Sequence, residues 1–461
     1  MVDDSAARVA SAIRKQALRS AAGERLPSTR CLVERHRVSP VTVQRALRAL
    51  VSEGIVETRA GEGTFVARRL VVGAGDVAWQ TSALGAPVAD VGPLLELVTP
   101  RPLEANSLSA GYLPSDLQPT ALLVKAMTRA QRRPGAWGTV PVSGLPELRE
   151  WFAREVANGG NAGDVVIAQG GQSALTSVLR AVCEPGSAVV VESPTYLGAI
   201  AAARAGGLRI VPIAGRWDGP DPDELDDRLA SSDASAFYAQ PTIANPSGAT
   251  WSATRRAEVL DVIRRHGVFL IEDNWAHDLV IDGTPPRAVA EADTDGHVLQ
   301  IRTLTKAAAP SLRIAAVVGR GPAIRRLQSA RVIDDLFVSG VLQLAALELV
   351  THSSWERHLR GLRAALAERR TALAAAVRAE LGDDALVGWP IGGFHLWVRL
   401  PESNGLTADG LTERARLSGV IITSGTQCFP GEPTGQYVRM TFAASPPAQL
   451  REGVRRIAAL L

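Results

Sequence analysis

An α/β protein carrying a small helical module at its N-terminus is the fold class this sequence predicts, and three observations predict it. Between residues 111 and 345, short apolar segments alternate with helical stretches, the pattern of a mostly parallel sheet covered by helices. From about residue 346 the pattern changes to long Ala/Leu/Arg helices, then GGFHLWVRL, and closes on SPPAQLREGVRRIAALL, which reads as a second, smaller α+β domain. Residues 1–69 read as three short helices and a hairpin, and hold 13 Arg and Lys against 7 Asp and Glu. That is a net +6 in a chain of net +3, so the remainder carries −3. A basic segment joined to a mildly acidic body suggests a nucleic-acid-binding module attached to something else.

Residues 5–20, SAARVASAIRKQALRS, place Val9, Ile13 and Leu18 near helical spacing. STRCLVERH is a short second helix that Ser28 can cap. In VSPVTVQRALRALVSEG, Ser39 is a good N-cap, Pro40 suits the first helical position, Val43, Leu47 and Leu50 form an apolar stripe, and Gly54 ends the helix. IVETRAGEGTFVA alternates into a strand, a Gly-rich turn and a second strand. Three helices followed by a hairpin describe a winged helix-turn-helix.

The run LPSTRCLVERHRVSPVTVQRALRALVSEGIVETRAGEGTFV resembles the DNA-binding domain of the GntR family without gaps. The resemblance implies that Arg30, Ser39, Thr42, Gln44, Arg45 and the wing residues Arg59 and Gly61 face double-stranded DNA. Physical chemistry agrees: hydroxyls and N–H groups at helix starts hold phosphates, while side chains along the second helix reach base edges. Many relatives carry arginine just after the recognition-helix cap, where this chain has Pro40, so half-site sequence does not transfer.

Residues 70–110, rich in small residues and proline, read as a linker. The body then supplies DVVIAQ, SAVVVES, LRIVPI, ASAFYAQ, VFLIED, HVLQIRT and IAAVVG as strands. One residue stands out by rarity. The chain has three lysines, Lys15, Lys125 and Lys306, against 47 arginines. A lysine amine can lose its proton when desolvated and arginine cannot, so chemistry that needs a free amine, such as a Schiff base with an aldehyde, needs lysine. A solvated surface position is the ordinary alternative, but Leu304 and the Ala-Ala-Ala-Pro that follow are poor company for one.

Other groups fall at strand ends. QGGQSAL places Gly171 and Gln172 at a helix start, a natural phosphate seat. ESPTYLG places Tyr196 at a sheet edge, ANPSGAT sets Asn245 in a turn, and FLIEDNWAHDL ends a buried strand in Glu272 and Asp273. TLTKAAAPSLR brings Thr303, Thr305, Lys306 and Arg313. Each is weak alone. In this order they form the set that pyridoxal 5′-phosphate needs: Lys306 for the aldehyde, the helix start with Thr303, Thr305 and Arg313 for the phosphate, and Asp273 for the ring nitrogen. Asn245 serves the phenolic oxygen, and Tyr196 is a flat partner for the ring.

Residues 111–461 resemble a fold-type I aminotransferase through NPSG, the strand-end ED, and a lysine followed seven positions later by arginine. The resemblance implies a large cofactor-binding domain over 111–345, a small C-terminal domain over 346–461, and Arg439 as the residue for a substrate α-carboxylate, a task suited to its planar fork. A GntR-type reader joined to such a body resembles the MocR subfamily of bacterial transcription regulators. That implies a head-to-tail homodimer with pyridoxal phosphate, or its adduct with a small amino compound, as the signal. Two departures bear on turnover. Trp275 stands where aminotransferases usually carry a tyrosine that bonds the phenolic oxygen; its indole N–H can donate but cannot accept a proton. Thr139 or Trp137 occupies the region where relatives place a tyrosine before GLPELR. These departures favour a ligand-responsive regulator over a working aminotransferase that controls its own operon. A regulator that has lost the cofactor is the third alternative, and the intact Lys306, Asp273, Asn245 and Arg313 speak against it.

No metal-ligand spacing is present, and Cys31, Cys183 and Cys428 are too scattered for a disulfide framework, as in a reducing cytosol. The start MVDDSAARVA lacks a signal-peptide pattern, and no apolar run is long enough to cross a bilayer. The expected location is cytoplasmic, without membrane attachment.

Overall fold

The computed structural model describes residues 4–17, 20–67, 78–84, 91–92, 94–95, 106–156, 160–401 and 405–461. The chain divides into two compact units, Met1–Pro87 and Val88–Leu461. Leu18 and most of segment 70–110 lie outside the described residues.

In the first unit, α1 (Asp4–Ala17), α2 (Thr29–His36) and α3 (Pro40–Ser52) precede a hairpin of β1 (Val56–Arg59) and β2 (Gly63–Val66). A further helix, α4 (Ala78–Leu84), follows. Ser28 Oγ accepts from Cys31 N at 3.3 Å, and Ser39 Oγ from Thr42 N at 3.2 Å. Both caps fall where the sequence sets them, because a hydroxyl one position before a helix satisfies an amide that the helix cannot. Val43, Leu47 and Leu50 pack with Val9, Ile13, Leu26, Leu32, Val56 and Val66 into one core. Gly54, at φ +65, reverses the chain after α3, with Ile55 N returning to Leu50 O. Residues 23–26 add a third edge to the wing through Leu26 N to Thr64 O and Val66 N to Glu24 O.

The second unit begins with β3 (Asn106–Ser107), α5 (Thr120–Ala130) and α6 (Pro146–Glu155). Strands and helices then alternate: β4 (Val165–Ala168), α7 (Gly171–Val182), β5 (Ala188–Ser193), α8 (Leu197–Ala205), β6 (Arg209–Ala214), α9 (Pro222–Ser232), β7 (Ala234–Ala239), α10 (Ala253–His266) and β8 (Phe269–Asn274). β9 (Val298–Thr303) and β10 (Ala315–Val318) complete a seven-stranded sheet of order β4-β10-β9-β8-β7-β5-β6. All seven apolar segments read from the sequence are its strands. β10 alone runs antiparallel, to both β4 and β9. Residues 304–314, which join it to β9, are too short for a parallel crossover, which takes a dozen or more residues. Lys306 sits in that tight connection.

Side chains alternate across the sheet. Val189, Val191, Tyr238, Ile271 and Ile301 meet helices α7, α8 and α11 (Pro322–Asp335) on one face. Val190, Phe237, Leu270 and Val298 meet α9 and α10 on the other. Continuous apolar strands follow from burial on both faces.

The C-terminal part comprises α12 (Gly340–Val350), α13 (Trp355–Leu381), β11 (His395–Arg399), α14 (Ala408–Leu417), β12 (Val420–Ile421), β13 (Thr423–Ser424), β14 (Tyr437–Thr441) and α15 (Pro447–Ala458). β11, β14 and β13 form a small sheet. β3 pairs parallel with β12, register Val420 to Asn106, so residues 106–108 are built onto the C-terminal part, with Leu108 fully buried.

Candidate active site

A crevice outside the carboxyl ends of parallel strands is the expected ligand site of such a sheet. Here it is a cavity of about 380 Å³, within the ordinary range for small-molecule sites. Its wall includes every residue that the sequence assigned to the cofactor or to a substrate carboxylate, though not Glu272, Trp137 or Thr139: Gly171 and Gln172 after β4, Tyr196 after β5, Asn245 after β7, and Asp273 and Trp275 at the end of β8. Thr303, Thr305, Lys306 and Arg313 come from the β9–β10 connection, and Arg439 from β14.

The sequence offered two carboxylates at the end of β8, and strand alternation separates them. Glu272 turns to the α10 face, where its oxygens accept from Val289 N at 3.0 Å and Ala290 N at 2.9 Å. Asp273 turns to the cleft, where Oδ2 accepts from Tyr238 Oη and Gln240 Nε2, each at 2.8 Å. Burial pushes the Asp273 carboxyl above its usual range, opposed by those two hydrogen bonds and by Lys306. Gln240 also accepts from Asn245 N at 2.8 Å. One amide therefore links the carboxylate to the turn that carries Asn245. Asn245 Oδ1 in turn accepts from Arg439 Nη1 at 3.0 Å, which leaves its side-chain NH₂ as the donating end. Arg439 also donates to Thr423 Oγ1 at 3.4 Å.

Lys306 Nζ donates to Gly111 O at 2.6 Å and lies 4.0 Å from the Tyr112 ring centroid. Enclosure brings its amine down to about 7, with Asp273 resisting and Arg439 and Arg313 adding to the fall. Near pH 7 the amine therefore gives up its proton far more readily than an exposed lysine does.

α7 starts at Gly171 with no side chain capping it, so its first-turn amides remain open to an acceptor. Gly170 (φ +82) lies so close to Arg313 that an added Cβ would come within 2.8 Å of the guanidinium carbon. Arg313 Nη2 donates to Gln169 O at 2.8 Å. Thr303 Oγ1 accepts from Thr305 N at 3.2 Å. Thr305 Oγ1 is buried without a hydrogen-bond partner among the described residues. Tyr196 Oη donates to Gln172 Oε1 at 3.0 Å.

Trp275 departs from the sequence expectation. Its ring lines the cavity, but its N–H donates to Ile243 O at 2.9 Å and so does not point a donor at a ligand. Ile243 itself takes φ +59, in the left-handed region. Tyr238, Gln240, Tyr112 and His395 are site residues that the sequence did not single out. Tyr238 and Gln240 carry a readable sign only once β7 is known to lie beside β8.

In the first unit, Gln44 and Arg45 stand exposed on α3. Ser39 and Thr42 hydroxyls bond each other at 2.9 Å at the helix start. Arg30 pairs with Glu34 at 3.4 Å from a side chain that remains 91% exposed. Arg59 is more committed: it meets Glu57 at 2.6 Å and stacks 4.5 Å from the Phe65 centroid. Gly61 turns the wing at φ +77.

Known proteins match both halves. Residues 107–457 match the family model Aminotransferase class I and II, and residues 6–66 match Bacterial regulatory proteins, gntR family. The chain is 26% identical over 452 residues to the uncharacterized HTH-type transcriptional regulator YdfD of Bacillus subtilis, covering 95% of this chain and 92% of that one. It is 27% identical over 447 residues to the probable rhizopine catabolism regulatory protein MocR of Rhizobium meliloti, covering 95% and 89%. Among solved structures, LysN, an α-aminoadipate aminotransferase from Thermus thermophilus complexed with N-(5′-phosphopyridoxyl)-L-leucine, superposes with a TM-score of 0.74 at 26% identity, over 82% of this chain and 95% of that one.

Proposed function

We propose a function from one premise: the chain belongs to the aminotransferase class I and II family and carries a GntR-type module at its N-terminus. It is a DNA-binding transcription regulator whose effector is pyridoxal 5′-phosphate or its adduct with a small amino compound. Residues 1–69 read double-stranded DNA and residues 70–110 link the reader to the body. Residues 111–345 hold the cofactor and residues 346–461 form the small domain. The working form is a head-to-tail homodimer.

The observation that carries this reading is the gathering of Lys306, Asp273, Asn245, Arg313 and the open start of α7 in one cavity. The residues fit the cofactor in kind. Thr305 Oγ1 is a buried hydroxyl without a partner among the described residues. The start of α7 lacks a cap, and Gly170 leaves room that a Cβ would fill. When bound, pyridoxal phosphate supplies an aldehyde and an electron-withdrawing ring.

The protein's share is placement and charge. Lys306 presents an amine that is partly uncharged at neutral pH. Asp273, held by Tyr238 and Gln240, presents a fixed carboxylate to the ring nitrogen. Thr303, Thr305, Arg313 and the α7 amides hold the phosphate, and Tyr196 supports the ring. Asn245 donates to the phenolic oxygen, and Arg439 holds a carboxylate. An effector changes DNA affinity only as far as its own affinities for the two dimer geometries differ.

The committed Trp275 N–H favours sensing over fast turnover. The Asp273 clamp and the lowered Lys306 amine favour the second reading, an active aminotransferase with an autoregulatory reader. The test for binding is absorbance: the full chain with pyridoxal phosphate gains a visible band that Lys306→Ala abolishes. A wild-type protein without that band loses this reading. Steady conversion of an amino acid plus a keto acid selects the second reading, and a cofactor-dependent change in operator affinity without turnover selects the first.

A further inference from the structure

Resting on the cofactor reading above, we propose that the amino compound this cleft accepts is an α-amino monocarboxylate with an apolar side chain, aliphatic or aromatic. Among the described residues, the cations lining the cavity are Lys306, Arg313 and Arg439. Lys306 is assigned to the aldehyde and Arg313 to the phosphate. Arg439 is left, 1% exposed, and its fork suits one carboxylate. A second carboxylate on the ligand would find no further cation among the described lining residues, and a charge drawn out of water without a partner is costly. His395 does not supply one. Burial, with Arg439 and Lys306 beside it, holds its imidazole well below the usual range. Its Nδ1 lies 2.9 Å from Thr441 Oγ1. A cationic side chain fares no better: Asp273, the carboxylate in the described wall, already serves Tyr238 and Gln240.

The remaining wall is apolar. Val91, Leu94, Leu95 and Leu175 line the same cavity, and Val91 and Leu95 stand 50% and 57% exposed. That is wetted hydrocarbon which a ligand's apolar side chain would cover, a favourable exchange roughly proportional to the area removed from water. The same stretch therefore rewards a leucine- or phenylalanine-like side chain and offers nothing to a charged one.

The full chain loaded with pyridoxal phosphate is titrated with L-leucine, L-phenylalanine, L-glutamate and L-lysine. Two readouts are followed, the change in the visible band and the shift in Tm. The expected result is an apparent Kd for leucine or phenylalanine at least tenfold below that for glutamate and for lysine. A smaller ratio, or the reverse order, overturns the inference while the band itself leaves the cofactor reading standing. A chain that shows no band removes both. In Leu95→Arg, whose own band reports that it folds and loads, the leucine-to-glutamate preference falls at least tenfold. An unchanged preference overturns the placement of the ligand side chain against this wall.

Discussion

Arg30 on α2 and Arg439 on β14 are both assigned to anions, yet one side chain is 91% exposed and the other residue is 1% exposed. Around Arg30, Gln44 and Arg45 the hydrogen bonds are local: a helix cap, a pair of neighbouring hydroxyls, an ion pair at i,i+4. Around Arg439 they are long-range and continuous, from Thr423 through Asn245 and Gln240 to Asp273. The exposed set keeps its charges hydrated, so it costs little to fold, and in the proposed reader it would act mainly through salt-sensitive attraction to phosphate. The buried set has already given up water, so its geometry is fixed in advance and its protonation is shifted. One half of the molecule should answer to salt and the other to pH.

Substitutions that break this contrast rank by burial. Asp273→Asn should have the largest effect. Breaking a buried charged pair costs about 3–5 kcal/mol, so cofactor retention should fall at least a hundredfold by equilibrium dialysis. Its pH signature has a definite sign. The Lys306 amine titrates near 7 and only its uncharged form attacks an aldehyde. The rate of band formation in wild-type protein therefore rises with pH through about 7. Asp273 holds that value up, so in Asp273→Asn the midpoint moves lower. A midpoint near that of an exposed lysine would show that Lys306 is not enclosed.

Gly170→Ala comes next. It forces a left-handed φ on alanine and a Cβ against the Arg313 guanidinium, at about 1–3 kcal/mol for the backbone. Weaker phosphate retention with an intact operator complex is the expected outcome in paired dialysis and gel-shift assays. In the reader, Gln44→Ala should relax discrimination at its base pair by about 1–3 kcal/mol. Raising salt from 50 to 200 mM should weaken the operator complex while leaving the visible band untouched. Arg14→Ala closes the series. It removes a half-exposed bridge to Glu53 that ties α1 to the end of α3, worth about 0.2–1 kcal/mol, read as a small fall in Tm.

How much of this was legible beforehand also follows burial and distance. The caps at Ser28 and Ser39, the α3 stripe and the seven strands were readable because each depends on neighbours a few positions away. The cleft residues were readable as a set because they fall at strand ends. The choice of Asp273 over Glu272 for the ring nitrogen came with the strand-end ED of the aminotransferase resemblance, while the reason Glu272 turns away lies in which helices cover which face. The clamp of Tyr238 and Gln240 on Asp273 was hidden because β7 and β8 are adjacent in the sheet while α10 separates them in sequence. Trp275 misled for a similar reason: the carbonyl that takes its N–H belongs to Ile243, whose left-handed backbone no local pattern announced.

The short strand β3 has a mechanical meaning. Asn106 N bonds Gly419 O, Leu108 N bonds Ile421 O, and Thr441 N bonds Leu108 O, so the thread entering the body is stitched into its C-terminal sheet from both sides. A few residues along that thread, the Gly111 carbonyl holds the Lys306 amine. A pull on Asn106 would therefore be borne by the β12 and β14 backbone, the latter carrying Arg439, before it reached the lysine.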